Sequence, residues 1–365
     1  MACAALVALV ADASSGSART RATCFGKPAT IVGTNGPDKI KLTRGTDVVS
    51  ALGGNDKIQA KSTRTNHGKD VICGDDGNDK ITGNNEANIL IGGPGNDKVK
   101  GGPGDDLIVG DNANPSGDES GATGRDKLNG TGGEDFVVGD NYAYGNASGA
   151  SPDKNVIGLD GNDVVIGDDA SLHGDATGGK TDRVAGANGN DLVVGDSYAP
   201  HGTASGSGND EKNKTNSKGG LNAGPGDDVE VGDNYSVDGT ATGGGRDQLA
   251  GPDGGDLGLQ CKPNDPCDDT FYGDNFVLGC VPNLSTAPQA QTSRKVIQCE
   301  ATRAPGGAPD RLTPDQGNDF MNGGPPDDPK LRSAGDVCSG GPGNDWGTRC
   351  ELYAKNDTEH EIAFP

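Results

Sequence analysis

Between Gly92 and Val109 nine residues are written twice with no gap, GGPGNDKVK and then GGPGDDLIV. The shared pattern, G-G-x-G-x-D-x-U-x with U a large aliphatic, constrains the chain more than any other feature. Its first six positions have the composition of a tight turn. Gly92, Gly93 and Gly95 accept positive φ without a Cβ clash and let carbonyl oxygens crowd towards one point. Asn96 and Asp97 tolerate turn geometry. Position eight, Val99 or Ile108, belongs to a strand too short to stand alone. Side chains alternate along a strand, so positions six and eight face the same way. The aliphatic then enters a core, and the aspartate points inward at the turn.

An inward carboxylate is costly unless something positive meets it, and no Lys or Arg recurs at a fitting turn position. Carboxylates and crowded carbonyls make an all-oxygen shell suited to Ca2+, whereas Mg2+ keeps its waters and demands a strict octahedron. Stacked copies predict an all-β chain, a parallel β-roll or β-helix solenoid with cations in rows along its turns. These repeats resemble those of the RTX (repeats-in-toxin, haemolysin-type) family, a Ca2+-binding β-helix pattern. The resemblance covers most of Gly33 to Thr348. It implies that each ion is shared by position-six aspartates and loop carbonyls of neighbouring turns.

Extending the register gives the expected metal ligands. Asp38, Asp47 and Asp56 hold position six of three consecutive nonapeptides, with Ile40, Val49 and Ile58 at position eight. After the insertion KSTRTNH come Asp70 and Asp79, and then Asp97 and Asp106 of the founding pair. In Gly83 to Ile91 the ligand position is Asn88 and the fourth position Glu86, so this turn is expected to bind poorly. From Gly110 a longer unit appears, with G-D-N at Gly110, Gly139 and Gly232, G-D-D at Gly167 and G-D-S at Gly195. The first spacings, 29, 28 and 28, are two nonapeptides plus a loop of about ten residues. Two nonapeptides complete one coil, so such loops leave from one edge and are expected to stack as a ladder. The resumed register supplies Asp126, Asp182 and Asp247 on the loop edge and Asp135, Asp163, Asp191, Asp228 and Asp256 on the plain edge. Glu230 and Gly258 stand where an aliphatic is expected. The pattern returns with Asp319 and Asp345. Tyr142, Tyr144, Tyr198 and Tyr235 recur in the loops, either as a partner face or as packing between loops.

Composition supports ligands over surface charge. The chain has 365 residues and a net charge of −23, and its acids are 45 Asp against 9 Glu. A solvated acidic face would use both, while a short carboxylate reaching into a turn favours Asp. Such acidity excludes a nucleic-acid footprint, which is basic. Without cations, mutual repulsion and a thin aliphatic core are expected to leave the chain unfolded.

Residues 1–18, with ALVALVA followed by SSGSA, have the character of a secretory signal. The expected organisation continues with a lead-in at 19–32, a roll at 33–259, a Cys-containing insertion at 260–313, further roll turns at 314–348 and a tail at 349–365. If Cys3 leaves with the signal, eight cysteines remain, an even number suited to disulfides in an oxidising compartment. The expected pairs are Cys24–Cys73, Cys261–Cys267, Cys280–Cys299 and Cys338–Cys350. Cysteines and a signal depart from the C-terminally secreted RTX proteins. The phrases CFGKPATIVGTNGPDKI, DVICGDDGNDKI and DVCSGGPGNDWGTRCE are similar instead to secreted actinobacterial Ca2+-binding RTX proteins.

The sequence has no H-E-x-x-H or G-x-S-x-G motif, so the zinc-protease and serine-hydrolase signatures fail. No apolar run approaches the ~20 residues of a membrane-spanning helix. The expected protein is extracellular, binds multiple Ca2+ ions, folds on binding them and carries no catalytic centre. The alternatives are a Ca2+-dependent adhesion module with a cell-surface or glycan partner, and, less favoured, an accessory chain of a secreted hydrolase.

Overall fold

The computed structural model describes residues 22–60, 68–121, 123–210, 221–224, 228–237, 239–243 and 248–250, together with short strands between 270 and 361. Every named element among them is a strand. All strand pairs are parallel except one hairpin, Thr23–Cys24 against Lys27–Pro28.

The nine-residue period becomes two facing sheets. One runs through Lys39–Lys41, Lys57–Gln59, Lys80–Thr82, Lys98–Gly102, Lys127–Gly132, Asn155–Asp160 and Val184–Asn188. The other begins Ile31–Val32, Val48–Ser50, Val71–Cys73, Ile89–Ile91 and Leu107–Val109, and continues through Phe136–Val138, Val164–Ile166, Leu192–Val194 and Val229–Val231. Ile40 pairs with Ile58 and Ile81 with Val99, each a step of two nonapeptides. Position-eight residues therefore stack on themselves. Ile58, Ile81, Val99 and Leu128 of the first sheet share one core with Ile72, Leu90, Ile108 and Val137 of the second. On the first sheet, positions seven and nine face water, and Lys39, Lys41, Lys57, Lys98 and Lys100 occupy them.

The second sheet is buried on both faces, because the insertions fold over its outside. Its position-nine residues Val138, Ile166, Val194 and Val231 pack with Ala170 and Tyr235 beneath the loops. Nearer the N-terminus, Val71, Ile91 and Val109 pack with Cys24 under the hairpin. A disulfide joins Cys24 to Cys73 with a Cα–Cα distance of 5.7 Å, fixing the lead-in to this sheet. Of the other expected pairs, residues 261, 267, 280, 299 and 350 lie outside the described residues.

The loops stack in register. Ala113–Asn114 pairs with Tyr142–Ala143, which pairs with Ala170–Ser171. Glu119–Ser120, Ala147–Ser148, Ala176–Thr177, Thr203–Gly206 and Thr240–Gly243 form a further parallel sheet. The loop tyrosines are largely spent on this packing. Tyr198 stacks on Tyr235 at 5.3 Å, and Phe136 meets Tyr142 and Tyr198 edge-on. Tyr144 is the exposed one, lying against His173 at 4.5 Å. Glu230 keeps the register opposite Val193 although it is 1% exposed, and its carboxylate accepts the Ala223 N–H.

Each coil rests on its neighbours through one aliphatic per strand, so a single truncation opens a cavity with no second layer to fill it. Ile108→Ala is expected to destabilise the calcium-loaded roll by about 2–5 kcal/mol in chemical denaturation. Lys98→Ala, on the exposed face, is expected to change stability by less than about 0.5 kcal/mol.

Candidate metal columns

The turns between the two sheets align the position-six carboxylates into two columns. In the first, the N–H of Asp38 donates to Oδ1 of Asp56 at 2.7 Å, Asp56 to Asp79 at 2.6 Å, Asp79 to Asp97 at 2.6 Å and Asp97 to Asp126 at 2.7 Å. It continues from Asp126 to Asp153, Asp153 to Asp182 and Asp182 to Asp210. The second column runs Asp47, Asp70, Asn88, Asp106, Asp135, Asp163, Asp191, Asp228 with the same N–H to Oδ1 link.

One carboxylate oxygen is thus used within the fold, and the other is left over. Oδ2 is buried without a hydrogen-bond partner in Asp56, Asp79, Asp97, Asp126, Asp153 and Asp182, and in Asp106, Asp135, Asp163 and Asp191. Its position explains the first glycine of the repeat. A Cβ on Gly92 would collide with Asp97 Oδ2 and the Gly110 carbonyl oxygen together, and one on Gly101 with Asp106 Oδ2 and the Gly130 carbonyl oxygen. A carboxylate oxygen and a carbonyl oxygen from the next coil therefore converge at each such turn. The fourth position needs glycine for its backbone, as at Gly95 with φ 153° and Gly161 with φ 147°. Among the described residues no group of three or more His, Cys, Asp or Glu side chains is placed to hold a metal. A site here is made of carboxylates and backbone carbonyls together, the hard all-oxygen environment that suits Ca2+.

Three turns are built differently, because a side chain donates to the second carboxylate oxygen. Thr34 donates both its N–H, at 2.7 Å, and its hydroxyl, at 3.0 Å, to Asp38 Oδ2. Thr43 does the same to Asp47 Oδ2 at 2.7 and 2.9 Å. The Asn84 amide donates to Asp70 Oδ2 at 2.8 Å. At these turns a protein donor takes the place that is open at Asp97 or Asp106. Asp38, Asp47 and Asp70 were expected to be ligands equivalent to the rest; their second oxygens are engaged, which sets them apart.

Two column members escape the sequence pattern. Asp153 stands in SPDKNV, where an extra residue separates it from its aliphatic: Val156, three positions on, pairs with Leu128. Asp210 is parted by EKNKTNSKGG from Leu221, which bridges to Leu249. The spacing of their neighbours was the available signal, since a coil between Asp126 and Asp182 requires an occupant. Asp247, Asp256, Asp319 and Asp345 lie outside the described residues.

The electrostatics follow from the leftover oxygens. Burial, reinforced by the like charges of Asp126 and Asp79, pushes Asp97 up to about 8. Burial also raises Asp106 and Asp135 to about 7 each. Without a cation these carboxyls hold protons near neutrality, against 3.8 for the ordinary group.

An RTX calcium-binding nonapeptide repeat family model matches the chain in four copies, over residues 30–58, 64–81, 82–115 and 120–141. These matches fall on the described columns from Asp38 to Asp135. No curated protein matches the chain.

The raised values fix a sign. A carboxyl whose folded pKa exceeds its unfolded one stabilises the folded form below the unfolded value and loses that contribution as pH rises through the folded value. The metal-free roll is therefore expected to gain β signal in circular dichroism on acidification from about pH 8 to pH 4. Calcium affinity is expected to fall over the same interval, as protons compete for the same oxygens. A metal-free spectrum independent of pH would contradict this electrostatic assignment.

Proposed function

Taking the chain as an RTX-repeat protein, whose nonapeptides bind multiple calcium ions, we propose that it is a secreted calcium-binding roll that folds on ion binding and has no catalytic centre. The observation that carries this reading is the unpartnered Oδ2 repeated down both columns. Bound Ca2+ would supply the positive charge that these oxygens lack. Asp56, Asp79, Asp97, Asp126, Asp153 and Asp182 would hold ions in one column, and Asp106, Asp135, Asp163 and Asp191 in the other, with glycine carbonyls completing each shell.

Magnitudes favour coupled folding over passive decoration. At free calcium a hundredfold above its Kd, a single site adds about 2.7 kcal/mol. Several such sites in a column rival the ~5–15 kcal/mol of a whole domain. The polypeptide would stay open in a low-calcium cytosol and close outside, where weak extracellular modules work at about 10⁻⁴ to 10⁻³ M. The Cys24–Cys73 disulfide and the signal-like segment at 1–18 support the same compartment. Among the described residues no helix is long and apolar enough to cross a membrane.

An adhesion role is the second reading, and the stacked loops favour it. They present an ordered parallel surface with Tyr144 exposed. Its weakness is that Tyr198 and Tyr235 serve the interior of that layer.

Asp97→Ala and Asp106→Ala are each expected to lower the number of calcium ions bound in titration calorimetry and to loosen the adjoining coils in hydrogen exchange. Asp12→Ala is expected to leave the mature protein unchanged. An Asp97→Ala titration superimposable on the parent would remove Asp97 from the ligand set.

A further inference from the structure

The G-D units that open the inserted loops are interrupted nonapeptides. Gly93 N–H bonds the Gly110 and Asp111 carbonyls, and Gly95 N–H bonds the Thr123 carbonyl. Gly110 and Asp111 are thus positions one and two of a repeat, Thr123 is its position three and Asp126 its position six. The loop is inserted between positions two and three. Loops likewise separate Asp140 from Ser151, Asp168 from Lys180 and Asp196 from Gly208, each of which stands two residues before its column aspartate.

These position-two aspartates form a third column, linked by backbone N–H to carbonyl bonds of 3.0 Å from Asp111 to Asp140, Asp140 to Asp168 and Asp168 to Asp196. All four are fully buried. Part of their work is structural. Each accepts the N–H of the residue across the neck of its loop: Thr123 to Asp111 at 3.0 Å, Ser151 to Asp140 at 3.2 Å, Lys180 to Asp168 at 3.1 Å and Gly208 to Asp196 at 3.0 Å. That closes the loop but does not satisfy the column. Oδ1 of Asp111 and Oδ1 of Asp168 have no proton donor, although both residues are 0% exposed, and the side chains that reach these residues along the column are the carboxylates of Asp140 and Asp196.

The oxygens left over belong to pairs. In the same repeat as Asp111, Asp126 Oδ2 is also unpartnered; in that of Asp168, so is Asp182 Oδ2. Asp126 and Asp182 are the charges acting most strongly on Asp111 and Asp168 respectively. A Cβ on Gly110 would meet the Gly139 carbonyl oxygen and lie 2.7 Å from Asp126 Oδ2. The basic groups acting on this region, Arg125, Lys154 and Lys180, are exposed. Asp75 shows the contrast. It too holds position two, but its Oδ2 accepts the Ser50 hydroxyl at 2.6 Å and the Leu52 N–H at 2.9 Å.

We propose that the loop-bearing coils carry a second class of calcium site, in which Asp111 and Asp168 add a position-two carboxylate to the position-six carboxylate of Asp126 and Asp182. The position-two side chain then tunes the site: Thr34 and Thr43 supply a donor in place of the ion, Gly93 and Gly102 leave an ordinary site, and a buried Asp with an unpartnered oxygen adds a negative ligand and tightens it. Calcium affinity rises with the charge of its ligands, so these sites fill first, and the loop layer orders before the plain turns. The inference rests on calcium occupying the position-six columns.

The test is calorimetric titration of the full chain with CaCl2 alone, comparing the parent with Asp168→Asn and Asp97→Asn. An asparagine at 168 keeps an oxygen for the Lys180 N–H and puts an amide donor where the unpartnered oxygen stands, as Asn84 does. Asp168→Asn is expected to remove one ion from the tightest phase, or weaken it at least tenfold, with an unchanged far-UV spectrum at saturating calcium. Asp97→Asn is expected to remove an ion from the weaker phase. If Asp168→Asn titrates like the parent while Asp97→Asn loses an ion, the third column only clamps the loops and the inference is overturned. If neither variant differs from the parent, the calcium reading of the columns fails with it. Should Asp168→Asn not fold in calcium, Asp111→Asn, whose Oδ2 likewise receives the neck N–H, gives the same readout.

Discussion

The fold depends on a carboxylate that is half satisfied. At turns such as those of Asp97 and Asp106 one aspartate oxygen accepts an N–H from the neighbouring coil, and the other is buried beside a backbone carbonyl with no proton donor. A buried ionised carboxylate without a partner is among the most expensive arrangements a protein can hold. Repeated down two columns, it makes the ion-free roll a frustrated structure at neutral pH. The same oxygens turn into an advantage once a hard cation stands among them. On the proposed reading folding and ion binding are one equilibrium, because the stack that buries the aliphatics would also assemble the shells.

The N-terminal end does without part of this, although Asp56 and Asp79 keep an open oxygen. Thr34, Thr43 and Asn84 supply protein donors to the second oxygen of Asp38, Asp47 and Asp70. The Cys24–Cys73 disulfide ties the lead-in hairpin to the same coils. A solenoid repeat contacts only its neighbours, so an end coil must be stable with one partner or none. Replacing ions by hydroxyl and amide donors meets that need.

The nine-residue period made the architecture readable, because positions six and eight follow from strand alternation alone. Ile58 over Ile81 and Asp97 beside Asp126 are its direct products. Asp153 was not readable: its bulge displaces it by one residue from the expected spacing, and a pattern search sees only spacing. The role of position two was also hidden. Thr34, Asn84 and Asp168 look like interchangeable turn residues, and only their hydrogen-bond partners separate a donor that closes a site from an acceptor that opens one. The double burial of the second sheet escaped for another reason. Val138 and Val194 at position nine lie on the face that strand alternation turns away from the aliphatic core, and what covers them is a loop layer remote from the repeat pattern.

The most direct measurement is far-UV circular dichroism of the mature chain during a Ca2+ titration, with Mg2+ as control. The account predicts a cooperative rise of β signal with Ca2+ and none with Mg2+. A full β spectrum already present in chelator at neutral pH would contradict it, since disulfide and aliphatic stacking would then suffice to bury the carboxylates without an ion.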